Sequence, residues 1–201
     1  MQRLSLFLYT LLVPIILTAQ STDCDLKKEK EGIKVYTCKS DTSKFRSLQA
    51  EFVIENTSIE ELKTFMFTVS KYIHWQYDAV EAGMLKRINS NEMIYRAVID
   101  APWPVDNREL IVQFSTVIHD TDHANFYINT VSSDFPVSSD LVRIPFSQAR
   151  WDIIRINNSL HVTYHMNINP GGYVPAFLIN MAMAEGPYQS FKSLKGLIEA
   201  K

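Results

Sequence analysis

The side chains able to do chemistry are few and scattered. His119 and His123 flank Asp120 and Asp122, a set that could ligate a metal. They sit between two alternating apolar runs, however, where a solvent-exposed hairpin tip is the expected structure. His161 and His165 share one face of a strand-like run, and it is the polar face, which favours solvation over ligation. Two cysteines cannot build a four-thiolate zinc site, so no metal site is expected. The six glycines contain neither a phosphate-cradling loop nor a dinucleotide fingerprint. No glycine-flanked serine marks a nucleophile, and no acid–base pair stands at a legible spacing. Neither a cofactor nor a catalytic residue is expected.

Arg108 stands apart from this scatter. It has the parity of Leu110, Val112 and Phe114, and so points to the apolar side of its strand. A guanidinium taken there needs a partner. The choices are a carboxylate such as Glu92 or Asp100, the polar head of a ligand, or a bend back to water along its own stem.

The elements that must position these residues follow from hydrophobic periodicity. Strands are expected at Ile33–Cys38, Phe45–Glu55, Ala79–Ile88, Glu92–Ile99, Arg108–Ile118, Ala124–Val131, Ser147–Ile156 and Leu160–Ile168. Short polar turns at Asn89-Ser90-Asn91, Asp120-Thr121-Asp122 and Asn157-Asn158-Ser159 make several of them antiparallel hairpins. Ser58 caps a helical run over Leu62–Val69, and a long helix fills Val174–Ala200. The mixed-charge stretch Asp25–Glu31 reads as one or two solvated helical turns. The order gives an α+β fold, a curved antiparallel sheet with helices gathered on one face.

Several strands are wet on one side only. Leu110, Val112, Phe114, Thr116 and Ile118 oppose Glu109, Gln113 and Ser115. Leu160, Val162, Tyr164, Met166 and Ile168 oppose His161, Thr163, His165 and Asn167, and Phe126, Ile128 and Thr130 align similarly. The last helix carries an apolar stripe through Val174, Phe177, Leu178, Met181, Tyr188, Phe191 and Leu194. That stripe either packs on the sheet as solid core or leaves an apolar pocket, and periodicity leaves both open.

Composition sets the bounds. The chain has 201 residues, 46% hydrophobic and 21% charged, with a net charge of −2. This balance gives no electrostatic case for nucleic acid as a partner. Met1-Gln2-Arg3, an uncharged run from Leu4 to Ala19 and the polar Ser21-Thr22-Asp23 read as a secretory signal peptide, cleaved after Ala19 or Gln20. Residues 1–20 are thus a leader and 21–201 the mature domain, with periplasmic or secreted localisation. Asp23 before Cys24 makes a poor lipoprotein site. An even cysteine count in an exported chain favours a Cys24–Cys38 disulfide over two unpaired buried thiols.

Five motifs in order along the chain match a known pattern. Trp75 to Ile88 gives an aromatic-then-acidic lead-in, and Glu92-Met93-Ile94-Tyr95 the next strand. Pro104-Val105-Asp106-Asn107-Arg108-Glu109 is similar to a proline followed by Arg-Asp, with Glu109 replacing the aspartate. Asp134-Phe135-Pro136 leads through to Val142-Arg143. Asn169-Pro170-Gly171-Gly172-Tyr173-Val174-Pro175-Ala176-Phe177-Leu178-Ile179-Asn180 starts the terminal helix. With these motifs the chain resembles the START (steroidogenic acute regulatory protein-related lipid transfer) lipid-binding domains of the helix-grip superfamily.

The resemblance implies a curved antiparallel β-sheet wrapped around a long C-terminal α-helix, with a lipid-sized tunnel between them. It implies a carrier or sensor that binds a lipid or other hydrophobic small molecule. Arg108, Trp103, Phe114, Phe126, Tyr164, Met166, Phe177 and Met181 would then face the ligand, with Phe135, Pro136, Leu141 and Val174 at its gate. Transient membrane contact and a monomeric state go with that role. The superfamily also holds aromatase/cyclases, so a cyclase-like enzyme is one alternative and a ligand-free structural or interaction domain another. The export signal departs from the cytosolic animal members and points to an exported bacterial relative.

Overall fold

Apolar–polar alternation builds the sheet, and its turns set the strand order. The computed structural model describes residues 24–39, 46–131, 135–136, 140–174 and 176–200; the leader expected over residues 1–20 lies outside them. The elements are β1 (Cys24–Lys30), β2 (Ile33–Cys38), β3 (Ser47–Glu55), α1 (Ile59–Met66), a 3₁₀ turn (Val69–Lys71), α2 (Tyr72–Trp75), β4 (Ala79–Asn89), β5 (Glu92–Ile99), β6 (Arg108–Ile118), β7 (His123–Thr130), β8 (Val142–Arg143), β9 (Phe146–Ile156), β10 (Ser159–Asn169) and α3 (Ala176–Glu199). The strands form one ten-stranded sheet in the order β1-β2-β3-β10-β9-β7-β6-β5-β4, with β8 pairing in parallel to β6 off that path. This is the helix-grip α+β fold, an antiparallel sheet gripping its C-terminal helix.

The run Asp25–Glu31, expected to be helical, is instead part of the edge strand β1 and the turn after it. Glu31 and Gly32, at φ 53° and 73°, form a left-handed two-residue turn that suits the twist of paired strands. At the other end of the pair, Cys24 lies directly opposite Cys38, and the two form a disulfide. The charges that suggested a solvated helix are those of a solvated sheet edge. Replacing both cysteines with serine frees a loop of sequence separation 14. That change should lower stability by about 3 kcal/mol on the chain-entropy account. A loss well under 1 kcal/mol in denaturant titrations would mean that the hairpin closes without its staple.

The opposite edge, β4, departs from regular pairing three times. Its register against β5 shifts between Ala79 and Glu81, Met84 and Lys86, and Arg87 and Asn89. Val80, Leu85 and Ile88 are thus left without partners, and they are 57%, 42% and 42% exposed.

Inside the sheet, the register sets apolar residues in rows. Phe126 lies opposite both Thr116 and Trp151, and Trp151 lies opposite Tyr164. Phe114 lies opposite Met93 and Ile128 in the next row. Ser58 begins α1 with a capping box: its hydroxyl accepts from the Glu61 amide at 3.3 Å, and the Glu61 carboxylate accepts from the Ser58 amide at 2.9 Å. Ile59, Leu62, Phe65 and Met66 then close one end of the core. In α3, Tyr188, Phe191, Leu194 and Ile198 are buried at helical spacing, packing the distal half onto β2, β3 and α2. Pro187 lies within the helix, just before that packed half.

Candidate functional site

Four of the residues expected to face a ligand share the inner face of the sheet. Phe114 and Phe126 meet edge to face at 5.6 Å, and Phe114 also meets Phe67 at 5.2 Å. Tyr164 packs edge-on against Trp151 at 5.4 Å and Phe191 at 5.1 Å. Met166 is half-buried beside them, two residues along β10. The side chains of Phe177 and Met181 lie outside the described residues. Trp103 stands apart: it is 92% exposed on the loop between β5 and β6, so in this structure it does not line the inner face. Parity could not reach it, since it belongs to no strand.

Arg108 is 7% exposed at the start of β6. Among the described residues it has no carboxylate at ion-pair distance, so neither Glu92 nor Asp100 is its partner, and its burial sets aside the bend back to water. Its guanidinium donates to the Asp106 carbonyl and, at 3.5 Å, to the Gly171 carbonyl. Burial lowers its pKa from the ordinary arginine value, with the Asp106 charge acting in the opposite sense. A cation is therefore held among backbone carbonyls at one end of the inner face.

Three connections converge on that end. The Asn107 side chain accepts from the Ala101 amide at 3.0 Å, and its carbonyl accepts from Val142 at 2.9 Å. The β10–α3 connection arrives through Gly171 at φ 68°. A Cβ on Gly171 would lie 3.0 Å from the Arg143 carbonyl and from Pro145, so only glycine brings this chain so close to β8. Of the expected gate residues, Phe135, Leu141 and Val174 are half-buried and Pro136 is exposed.

An ion cluster not foreseen in the sequence holds this end together. Glu109 falls on the outer face, as its parity requires, yet it is only 3% exposed. Its carboxylate accepts from Arg96 of β5 at 2.5 Å and from Arg143 of β8 at 2.7 Å. Arg96 also reaches Glu81 at 2.6 Å. Arg143 donates further to the carbonyls of Pro136 at 2.6 Å and Phe135 at 3.5 Å. Desolvation opposes ionisation of Glu109, but the hydrogen bonds and charges of Arg143 and Arg96 outweigh it and hold the carboxyl below its ordinary value. The only local signal was the spacing of Arg-Glu and Val-Arg. It became informative once β8 paired Glu109 with Arg143.

The remaining candidates stay outside this arrangement. His119 and His123 are exposed at the β6–β7 tip, and His161 and His165 are exposed on the outer face of β10. Among the described residues, no group of three or more His, Cys, Asp or Glu converges as a metal site. A groove of about 380 Å³ lies at the far end of β6, lined by Ser58, Ile59, Glu60, Ile118, Asp120, Thr121 and Arg155. It contains none of the expected site residues. No described helix is long and apolar enough to cross a membrane.

Known proteins share this fold. The STAR-related lipid transfer protein of Xanthomonas axonopodis superposes with a TM-score of 0.80 at 26% identity, over 88% of this chain and 99% of that one. Human STARD10 gives a TM-score of 0.74 at 18% identity, over 88% and 73%. The Zhui aromatase/cyclase of Streptomyces shares the fold more distantly, at 9% identity and a TM-score of 0.54. An uncharacterized protein of Pseudomonas aeruginosa is 23% identical over 184 residues, 91% of this chain and 90% of its own. No family model matches the chain. The fold is START-like.

Proposed function

We propose that this START-like chain binds a lipid or other hydrophobic small molecule between the inner face of its sheet and α3, and acts as a carrier or sensor. The observation that carries the reading is the fold it shares with a bacterial STAR-related lipid transfer protein along nearly the whole of that chain. The apolar inner face, with Phe114, Phe126, Tyr164 and Met166 on it, supports it. Each buried methylene contributes about 0.8 kcal/mol relative to water but little relative to a bilayer, which suits exchange better than storage. Pro187 removes one helical donor from α3, so the proximal half of α3, with Val174 before it, is the part best able to yield to an incoming chain. Phe135, Pro136 and Leu141 border the same opening.

Exposed Trp103 and Tyr173, at 92% and 88%, belong to two of the connections at that end. Trp and Tyr suit the interface of a bilayer. With a mature net charge of −3 once Arg3 is lost with the leader, contact with an anionic membrane stays brief. In this reading the protein is exported and works as a monomer.

Native mass spectrometry of the purified mature protein tests the proposal. A mass increment of lipid size, removed by organic extraction, is expected; bare protein that also fails to take up N-phenyl-1-naphthylamine would overturn it. Arg108 makes a sharper test. Charge-assisted hydrogen bonds contribute about 1.5–3 kcal/mol. Arg108→Leu should therefore weaken binding of cis-parinaric acid, a fluorescent carboxylate lipid, by about 10-fold or more and leave neutral N-phenyl-1-naphthylamine unaffected. Equal effects on both probes would make Arg108 a clamp on the Gly171 connection and nothing more.

A further inference from the structure

Arg108 has a counterpart at the other end of the inner face. Arg155, near the end of β9, has the parity of the buried Trp151 and Ile153, and so points to the apolar side. β6 runs its 11 residues from Arg108 to Ile118, which sets the two ends roughly 33 Å apart. Among the described residues the Arg155 side chain makes no hydrogen bond or ion pair, and its Nε is buried without a partner. A buried donor left unmet is costly, and such groups are rare enough to require an explanation. Arg155 lines the groove of about 380 Å³ at this end, a volume at the small end of those that hold ligands.

The groove joins apolar walls to a charge that nothing compensates. Ile59 of α1 and Ile118 of β6 supply the apolar surface. Asp120 and Glu60 line it too, but both are engaged elsewhere. The Asp120 carboxylate accepts from the amides of Asp122 at 2.7 Å and His123 at 2.8 Å, and meets the His123 ring at 3.2 Å. Glu60 has Lys63 at 3.9 Å. The start of α1 also borders the groove. Its capping box takes the amides of Ser58 and Glu61, which leaves those of Ile59 and Glu60 without a carbonyl in the helix, at the positive end of the helix dipole. An unpaired guanidinium and a helix start thus border one apolar recess.

We propose that this groove is a second binding site, separate from the lipid-binding face, and that it takes a small organic monoanion, a carboxylate on an aromatic or short aliphatic body. The carboxylate completes Arg155 with charge-assisted hydrogen bonds, and the apolar body lies on Ile59 and Ile118. One negative charge matches Arg155, whereas a dianion meets added repulsion from Asp120 and Glu60. The site does not depend on the lipid-binding reading above.

Titration of the isotope-labelled mature protein with 2-naphthoate, followed by amide NMR, tests it. Saturable shifts are expected at Ile59, Ile118 and Thr121. Neutral 2-naphthalenemethanol should bind there about 10-fold more weakly, and inorganic phosphate should not displace the naphthoate. Arg155→Gln should weaken 2-naphthoate by about 10-fold or more and leave 2-naphthalenemethanol unchanged. If that variant fails to fold, Thr121→Trp, at an exposed turn position, should block both compounds. Equal affinity for acid and alcohol, undiminished naphthoate binding in either folded variant, displacement by phosphate, or no shift at those three amides overturns the proposal and leaves the lipid-binding reading as it stands.

Discussion

Glu109→Ala should destabilise the protein by about 3–5 kcal/mol, the usual cost of breaking a buried ion pair by removing one partner. The variant leaves the guanidiniums of Arg96 and Arg143 facing each other with no anion between them. For a chain of this size that corresponds to a fall in Tm of roughly 10 °C. Replacing all three residues with apolar ones of similar volume should recover much of the loss, because removal of the buried anion the two arginines share, and not lost volume, is the cause. The pH dependence has a definite sign. Glu109 titrates below its ordinary value in the folded protein, so its contribution is fully present above the unfolded-state carboxyl pKa. It disappears as pH falls through the folded value. Glu109→Gln should therefore differ most from the native protein near neutrality, with the gap closing in acid. Chemical denaturation across that range decides the matter, and a neutral-pH difference below 1 kcal/mol would remove the cluster from any structural role.

Phe191→Ala should cost a similar amount for a different reason. Phe191 stacks on Phe52 at 4.4 Å and meets Trp151 at 5.5 Å and Tyr164 at 5.1 Å. It is the side chain through which α3 joins the sheet's aromatic cluster. Truncation removes about 3–5 kcal/mol through lost burial and the void left behind. Phe191→Leu should cost about a third as much. Denaturant midpoints give the ranking; equal penalties for leucine and alanine would mean that the cluster collapses around any change.

Much of this architecture was legible before any coordinates. The one-sided wetness of β6 and β10 gave their faces, and Ser58 with Glu61 gave the start of α1. The cysteine count led to the disulfide. What failed was non-local. Nothing in Asp25–Glu31 says that its partner is β2, so its charges read as a helix. Glu109 was placed on the correct face and wrongly taken as wet. Burial came from Arg143, thirty-four residues later, through a two-residue strand too short to announce itself. Ile111 is buried as well, at 2% exposure, on that nominally polar face.

The open sheet leaves two bare borders, and both must be kept from recruiting further copies of the chain. One border carries the exposed charges of Asp25, Lys27, Glu29 and Lys30 and is pinned by sulfur. The other carries its three surplus residues, Val80, Leu85 and Ile88, as kinks that spoil any straight docking line. Straightening it by deleting them would create a flat, sticky margin. The irregularity that looks like poor pairing thus guards this margin against the addition of another strand.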